Sequence, residues 1–476
     1  MISSSNDSDG AIKLGRNSQL NIGDGQNANV VEISAKSDTA INVTEATSGI
    51  TFKKSTVFSD GSVASKGTVT LSETEFNLKA GSTFTAASVA GSGSSIVINE
   101  VVDNGMTASI ENNKSADLMI VGSPEFNDRY GSAAEAASAL IDGTNVKNAA
   151  GGSYSFTGQS GALSDAWTAD ANGQITSHKA NESMEALENF DAMTLVQWRT
   201  EGNHINQRLG DVRDLSTTVG AWARIYGYDS SYNDGISIDY KANSIQVGGD
   251  YRLNDTWLVG GALSYTDGKG TFSNGSSESD GYTLAAYLSG FFPCGGYVDF
   301  VGRIGRLSTD ITASSQGSVF KGGYDNTTLG LSAEVGYHWK LNDAFYVEPQ
   351  AELTYGVVLG DDFTGANDVK ISQDDFESLV GRLGARVGAS FAEGAGTVYA
   401  HASVNHDFLG DSDYTATYGK TTRHFGSDIG GTWVSYGVGA QFNTSANLNF
   451  YGVLERSNGS EYQEDYRYSV GMSCRF

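Results

Sequence analysis

The sequence predicts an all-β chain: a twelve-stranded transmembrane antiparallel β-barrel with a pore-plugging α-helix, preceded by a β-solenoid segment. Three observations carry that prediction. From Val219 to Phe476, about twelve segments of 9–14 residues alternate apolar and polar side chains, and their connectors are alternately short and long. From Ala11 to about Glu100, shorter β-like runs recur every 8–12 residues or so, separated by Gly, Ser, Asn, Asp and Thr. Between them lies "WRTEGNHINQRLGDVRD" (198–214), helical in style but polar nearly all round. The boundaries expected are 1–125 for the solenoid, 126–186 for a junction, 187–215 for the helix and linker, and 216–476 for the barrel.

Composition sets the frame. The chain has 476 residues, 60 Gly, 3 Pro, 2 Cys and a formal net charge of −26. That acidity argues against nucleic acid as a partner, because phosphate binding needs a positive surface. It fits a secreted or cell-surface protein. Two cysteines cannot make a disulfide framework. No run of about 18 apolar residues is present, so no transmembrane helix is expected. The start, "MISSSNDSDG", has neither the charged nor the apolar region of a signal peptide.

In the N-terminal part, "AIKL", "QLNI", "VVEI", "AINV", "GITF", "TVTL", "EFNL" and "SIVI" are the runs. Short strands at near-regular spacing fit a sandwich or a solenoid. Few large aromatics and Asn/Gly-rich corners favour the solenoid. The junction is less regular, with one helix expected over Ala133–Ile141.

In the C-terminal part, "LGLSAEVGYHW" puts Leu329, Leu331, Ala333, Val335, Tyr337 and Trp339 on one face and Glu334 on the other. "FYVEPQAELTYGV" sets Phe345, Val347, Ala351, Leu353 and Tyr355 against Glu348, Gln350 and Glu352. "SLVGRLGARVGASF" sets Leu379, Leu383, Val387 and Phe391 against Arg382 and Arg386. The connectors near "LNDT", "PCGG", "LNDA", "AEGAG" and "NTSAN" are short, whereas long polar loops are expected near 228–242, 308–326, 358–374 and 409–429. Short turns on one side, long loops on the other and an even strand number mark an outer-membrane barrel. Glu334, Glu352, Arg382 and Arg386 then point into a wet lumen, while Trp257, Tyr337, Trp339 and Tyr468 form the interfacial girdles. His401 lines the lumen with Ser403 and Asn405. Cys294 falls in a short turn and Cys474 on the lipid face of the last strand, and the two are not expected to pair.

The helical stretch has an interrupted apolar stripe, Leu195, Trp198, Ile205, Leu209 and Val212. A surface helix carries a continuous stripe. A helix in a polar lumen needs none, which explains this sequence.

The stretch from Trp198 through Glu201, Asn203, Ile205, Arg208, Leu209, Gly210, Asp211, Val212 and Arg213, followed by Gly220, Trp222 and Arg224, resembles the pore helix and first strand of type Va autotransporters, the pertactin and serine-protease-autotransporter group. "FYVEPQAELTYG", "SLVGRLGARVG", "ASVNHDFLG" and "YQEDYRYSVGMSCRF" resemble the same family's translocator domain, and the likeness covers roughly residues 187–476. It implies type V secretion: an outer-membrane barrel, monomeric, that brings its own N-terminal passenger to the bacterial surface. The absent signal peptide then means a fragment or a misassigned start. Ser469, Gly471, Cys474 and Phe476 match the terminal pattern read by the barrel assembly machinery; that machinery, periplasmic chaperones, outer-membrane lipid and a host or neighbouring-cell surface are the partners implied. Asn203 matches the Asn that, in several members, attacks its own carbonyl and cuts the chain, here before His204. Glu334 and Glu352 match acidic positions implicated in that cut. The bland alternative is that all three merely solvate the lumen. Trp198, Glu201, Arg208, Arg213, Arg382 and Arg386 are expected to anchor the helix or line the lumen. Arg208 and Arg213 would pair with Asp250, Asp299 or Glu348.

The N-terminal part carries no G-x-S-x-G, H-E-x-x-H or C-x-x-C motif, so an adhesive or structural passenger is expected, with no cofactor and no metal. Any catalysis within the chain would be a single-turnover self-cleavage. Two alternatives stay open: a passive porin-like pore, and an enzyme whose catalytic domain lies upstream of residue 1.

Overall fold

The computed structural model describes residues 2–4, 11–103, 105–114, 116–149, 151–179, 181–200, 218–234, 236–315, 318–365, 368–391, 395–419, 421–445, 447–459 and 461–476. These divide into two compact units, Met1–Asn181 with Thr417–Arg423, and Glu182–Ala416 with His424–Phe476.

The first unit is a parallel coil of short strands. Apolar residues of successive turns stack in register: Val31, Val57, Phe76, Ile96, Ile120 and Phe156 form one ladder. Ile12, Ile41, Val63, Phe84 and Ala108 form a second. Every member is buried, and Phe76 meets Phe52 and Phe84 edge-on at 5.6 and 5.5 Å. No single turn could bury its own inward side chains, so stacking supplies the core. All eight expected runs lie in strands. Phe84–Ala90 is a strand the reading did not single out, because Ala and Ser at its alternate positions weaken the signal. Two helices follow, α1 (Pro124–Asn127) and α2 (Ala133–Asp142). Parallel stacking continues through Ser153–Gly158 and then changes to antiparallel, with Ala166–Ala169 and Ile175–Lys179.

The second unit opens with α3 (Glu182–Thr200). Twelve long strands follow: β1 (Val219–Asp234), β2 (Ile236–Arg252), β3 (Trp257–Phe272), β4 (Gly275–Phe291), β5 (Gly296–Ser315), β6 (Ser318–Tyr337), β7 (Phe345–Leu359), β8 (Phe376–Phe391), β9 (Gly396–Asp407), β10 (Gly431–Ser445), β11 (Leu448–Gly459) and β12 (Tyr462–Arg475). Neighbours pair antiparallel in chain order, and β12 pairs with β1 to close the barrel. No helix among the described residues is long and apolar enough to cross a membrane, which says nothing of a β-barrel.

Strand lengths correct the sequence reading. The strands run 12–20 residues rather than 9–14. The polar stretches expected as loops at 228–242 and 308–326 are largely the paired continuations of β1–β2 and β5–β6. Those at 358–374 and 409–429 contain Asp362–Thr364, Lys370–Gln373, Asp411–Tyr418 and Thr421–Asp428, a separate four-stranded sheet. These extensions alternate with the apolar face inward, the reverse of the membrane-facing segments, so they read as polar loops in the sequence.

The barrel therefore has two storeys of opposite polarity. In the lower one, outward residues such as Ile245, Leu263, Leu284, Ile304, Leu331, Leu383, Val438 and Val470 are exposed and apolar, while Arg224, Asp299, Glu334, Glu348, Arg382 and Arg467 are buried inside. From Leu329 to Trp339 this outward belt covers about 33 Å of strand, or about 25 Å of height at a tilt near 40°. In the upper storey Arg306, Ser308, Asp310 and Thr312 face out, and Thr309, Ile311 and Ala313 face in. Only a bilayer makes the lower arrangement favourable and only water the upper, so the inversion marks the membrane boundary.

Candidate functional site in the barrel lumen

α3 belongs to the barrel unit, and its side chains change character along its length. Leu187, Phe190, Met193, Leu195 and Val196 are buried. Phe190 packs against Tyr324, Phe363 and Tyr414 with ring centroids at 4.4, 5.1 and 5.6 Å. This part of the helix is apolar, in contrast to the polar helix expected, because it sits in the apolar-lined upper storey. Below it, Thr309 donates to Gln197 at 3.2 Å, and Trp198 lies under the Arg303 guanidinium at 4.4 Å. Arg199 pairs with Asp407 at 3.1 Å, with 8% and 1% of the two side chains exposed. Its guanidinium also stacks 4.4 Å from Trp433 and 5.2 Å from Tyr462. The helix presses so closely on β7 that a Cβ at Gly356 would fall 1.7 Å from Trp198.

Arg199, Arg303 and Asp407 are anchoring residues that the sequence reading missed. Inward parity on β5 and β9 marks Arg303 and Asp407 as lumenal; which of many lumenal charges meets the helix depends on where the helix lies. Glu201, Asn203, Arg208 and Arg213 lie outside the described residues, as does His204.

Glu334 of β6 and Glu352 of β7 face each other in register. Arg382 of β8 stands between their carboxylates, at 3.3 and 2.8 Å. Tyr297 donates to Glu334 at 2.5 Å and Thr354 to Glu352 at 3.1 Å. Towards the turn end, Glu348 meets His338 at 2.9 Å, Gln350 at 3.0 Å and Arg386 at 3.7 Å. Buried charges need such partners, since an uncompensated one is costly. Arg382 and Arg386, expected among the helix anchors, thus pair with carboxylates of the wall. The carboxylates expected to meet Arg208 and Arg213 are also engaged: Asp250 with Arg475 at 2.8 Å, Asp299 with Ser289 at 2.5 Å, and Glu348 as above. A cavity of about 80 Å³ adjoins the end of the described helix, lined by Trp198, Arg199, Arg303, Glu352, Arg382 and Arg467 among others.

The terminal pattern has a physical shape. Ser469 is buried inside, Cys474 is half-exposed outside, and Phe476 is exposed outside. Phe476 donates its backbone N–H to Val219 at 2.9 Å. Gly471 lies under the Tyr451 ring, where a Cβ would fall 2.4 Å from the ring.

Residues 221–455 match the family described as the autotransporter β-domain. The C-terminal unit is an autotransporter translocator domain. Relatives include the serine protease Pet autotransporter of Escherichia coli, 34% identical over 44% of this chain and 16% of its own length. The pertactin autotransporter of Bordetella parapertussis is 29% identical over 57% of this chain and 31% of its own. The translocator domain of NalP from Neisseria meningitidis, a solved structure, is 17% identical with a TM-score of 0.48, covering 62% of this chain and 98% of that one. The chain therefore spans less than a third of these curated relatives. The translocator domain resides in the bacterial outer membrane, and the apolar belt is the surface it presents to lipid.

Proposed function

We propose that the barrel brings the N-terminal solenoid to the cell surface as its passenger, and that the chain is then cut once, inside the lumen, between Asn203 and His204. The observation that carries the proposal is the arrangement at the end of α3: the helix descends to Trp198 and Arg199, and the small cavity there has Glu352 in its wall. In the cut, the side-chain amide nitrogen of Asn203 bonds to that residue's own carbonyl carbon. The bond from that carbon to the His204 nitrogen breaks, leaving a succinimide, and the amide proton ends on the departing amine. No water or oxidant is consumed. Glu352 would carry the proton from the attacking amide to the departing amine, and Glu334, paired with the same Arg382, would hold the field. A site with little water and a held rotamer favours such an attack.

Outer-membrane lipid, the barrel assembly machinery and periplasmic chaperones are the partners proposed, with a monomeric barrel and an adhesive or structural passenger. The 126–186 segment is proposed as the junction, running into α3 from Glu182, and 187–215 as the rest of that helix with its linker. The porin-like alternative is disfavoured by the family match and by a helix seated in the lumen.

Expressed with a signal peptide, the protein should give two chains in intact-mass analysis of the outer membrane, one beginning at His204. Asn203→Asp should slow the cut strongly. Glu352→Gln should slow it less, within the factor of about 10²–10⁴ typical of acid–base assistance. A single uncut wild-type chain around a folded barrel would refute the cut and leave Asn203 a lumenal polar residue.

A further inference from the structure

We infer that one outer face of the solenoid, centred on Phe58, is a binding site for a linear, uncharged, β-1,4-linked glycan. Such a site rests on the adhesive role proposed for this unit and names its ligand class; binding in detergent is read separately from display on the cell. The unit has six phenylalanines. Phe52, Phe76, Phe84, Phe126 and Phe156 are buried, whereas Phe58 faces outward and is 40% exposed. Val30 and Met119 are exposed on the same sheet face, one row away. Apolar residues scattered singly over a surface need no explanation. Here three of the four large ones exposed among the described residues of the unit share one face, Met106 being the fourth.

The ring is surrounded by hydrogen-bonding groups. Glu32 and Asn77 stand beside it on the two neighbouring turns. Thr56 and Asp60 flank it on its own strand and share its parity. Two of these groups are held in place: Asp60 meets Lys79 at 3.4 Å, and Asn77 donates to Glu75 at 3.0 Å. An exposed ring set among carboxylate, amide and hydroxyl groups suits a pyranose. The C–H-rich face of the sugar stacks on the ring, and its equatorial hydroxyls reach the groups around it. Spacing selects a chain rather than a single sugar. Successive turns lie about 4.8 Å apart, close to the length of one sugar in an extended β-1,4-linked chain, so sugars laid along the solenoid axis meet equivalent positions turn after turn. Charge then selects among chains. Glu32, Asp60 and Glu75 against Lys79 leave the face negative, which repels sulfated and uronate polymers.

The test titrates the full chain, folded in a detergent without a sugar headgroup, with cellohexaose and chitohexaose, read by calorimetry and saturation-transfer NMR. The expected result is saturable binding, with affinity rising about tenfold or more from cellobiose to cellohexaose as further sugars engage further turns. Phe58→Ala should lower the affinity about tenfold or more, with the β-sheet circular dichroism unchanged because the side chain lies outside the core. Phe58→Trp, which keeps an exposed ring, should retain binding, and Thr85→Ala, outward on another ladder, should leave it unchanged. No binding of either hexamer at millimolar concentration overturns the inference. So does an affinity that Phe58→Ala leaves unchanged, equal affinity for cellobiose and cellohexaose, or a preference for a heparin hexasaccharide. Protease shaving of intact cells reports display by itself, so a displayed unit that binds no glycan refutes this site and leaves the translocator reading intact.

Discussion

The barrel is closed by one rung that invites a direct energetic test. Arg475, Gly220 and Asp250 stand opposite one another on β12, β1 and β2. The Arg475 guanidinium reaches across β1 to the Asp250 carboxylate at 2.8 Å, with 2% and 1% of the two side chains exposed. The bridge passes over Gly220, where a Cβ would fall 2.6 Å from the carboxylate and 3.1 Å from the guanidinium. At this separation the gross attraction is about 6 kcal/mol for an effective dielectric near 20, much of it offset by desolvation. Removing one partner strands a buried charge, which costs about 3–5 kcal/mol. Asp250→Ala should therefore lower the unfolding temperature of the barrel by about 6–20 °C, scaling from domains of comparable size. Gly220→Val should mimic it by forcing the pair apart. The double variant Asp250→Leu with Arg475→Met should recover most of the loss, because it leaves no unpaired charge. The assay is the temperature at which the folded and unfolded gel bands exchange. Unchanged temperatures for both Asp250→Ala and Gly220→Val would show that the rung contributes nothing to closure.

Three further outcomes follow from the same geometry. Gly356→Leu should unseat Trp198, an overpacking cost of about 1–3 kcal/mol, read as faster hydrogen exchange at the end of α3 with the barrel still folded; unchanged exchange would refute the close contact. Leu331→Arg, on the lipid face, should cost up to about 2–4 kcal/mol, whereas Thr312→Arg, outward in the upper storey, should be nearly neutral; equal effects in unfolding assays would refute the two-storey assignment. Deleting Phe476, or Gly471→Val against the Tyr451 ring, should lower the amount of heat-modifiable barrel in the outer membrane, and normal levels of both would count against the terminal-signal reading.

Much of this fold was legible because two periodicities are local. Alternation along "LGLSAEVGYHW" requires one face for Leu331 and another for Glu334 whatever the neighbours do, and a continuous apolar outer face with charges on the inner one fits only lipid outside and water or partners inside. The Gly, the terminal Phe and the hydrophobic position of the last strand could be read the same way, as could the stacked runs of the solenoid. Three things were not legible. The upper storey reverses its polarity, so its strands looked like polar loops until pairing between β5 and β6 showed the inward Ile311 and Phe320. The stretch 198–214 reads as a polar helix, whereas the described part, Glu182–Thr200, packs its apolar residues into a socket assembled by residues more than a hundred positions away. Partner choice was also hidden: a sequence can say that Arg382, Arg386, Arg199 and Arg475 point inward, but barrel curvature and strand stagger set which carboxylate lies within reach. The sequence by itself determined the strands, their faces and the membrane they suit, because each depends on neighbours along the chain. Only the tertiary structure decided the two-storey wall, the seat of α3 and the pairing of Glu334 and Glu352 on one arginine, because those depend on distances across a closed lumen.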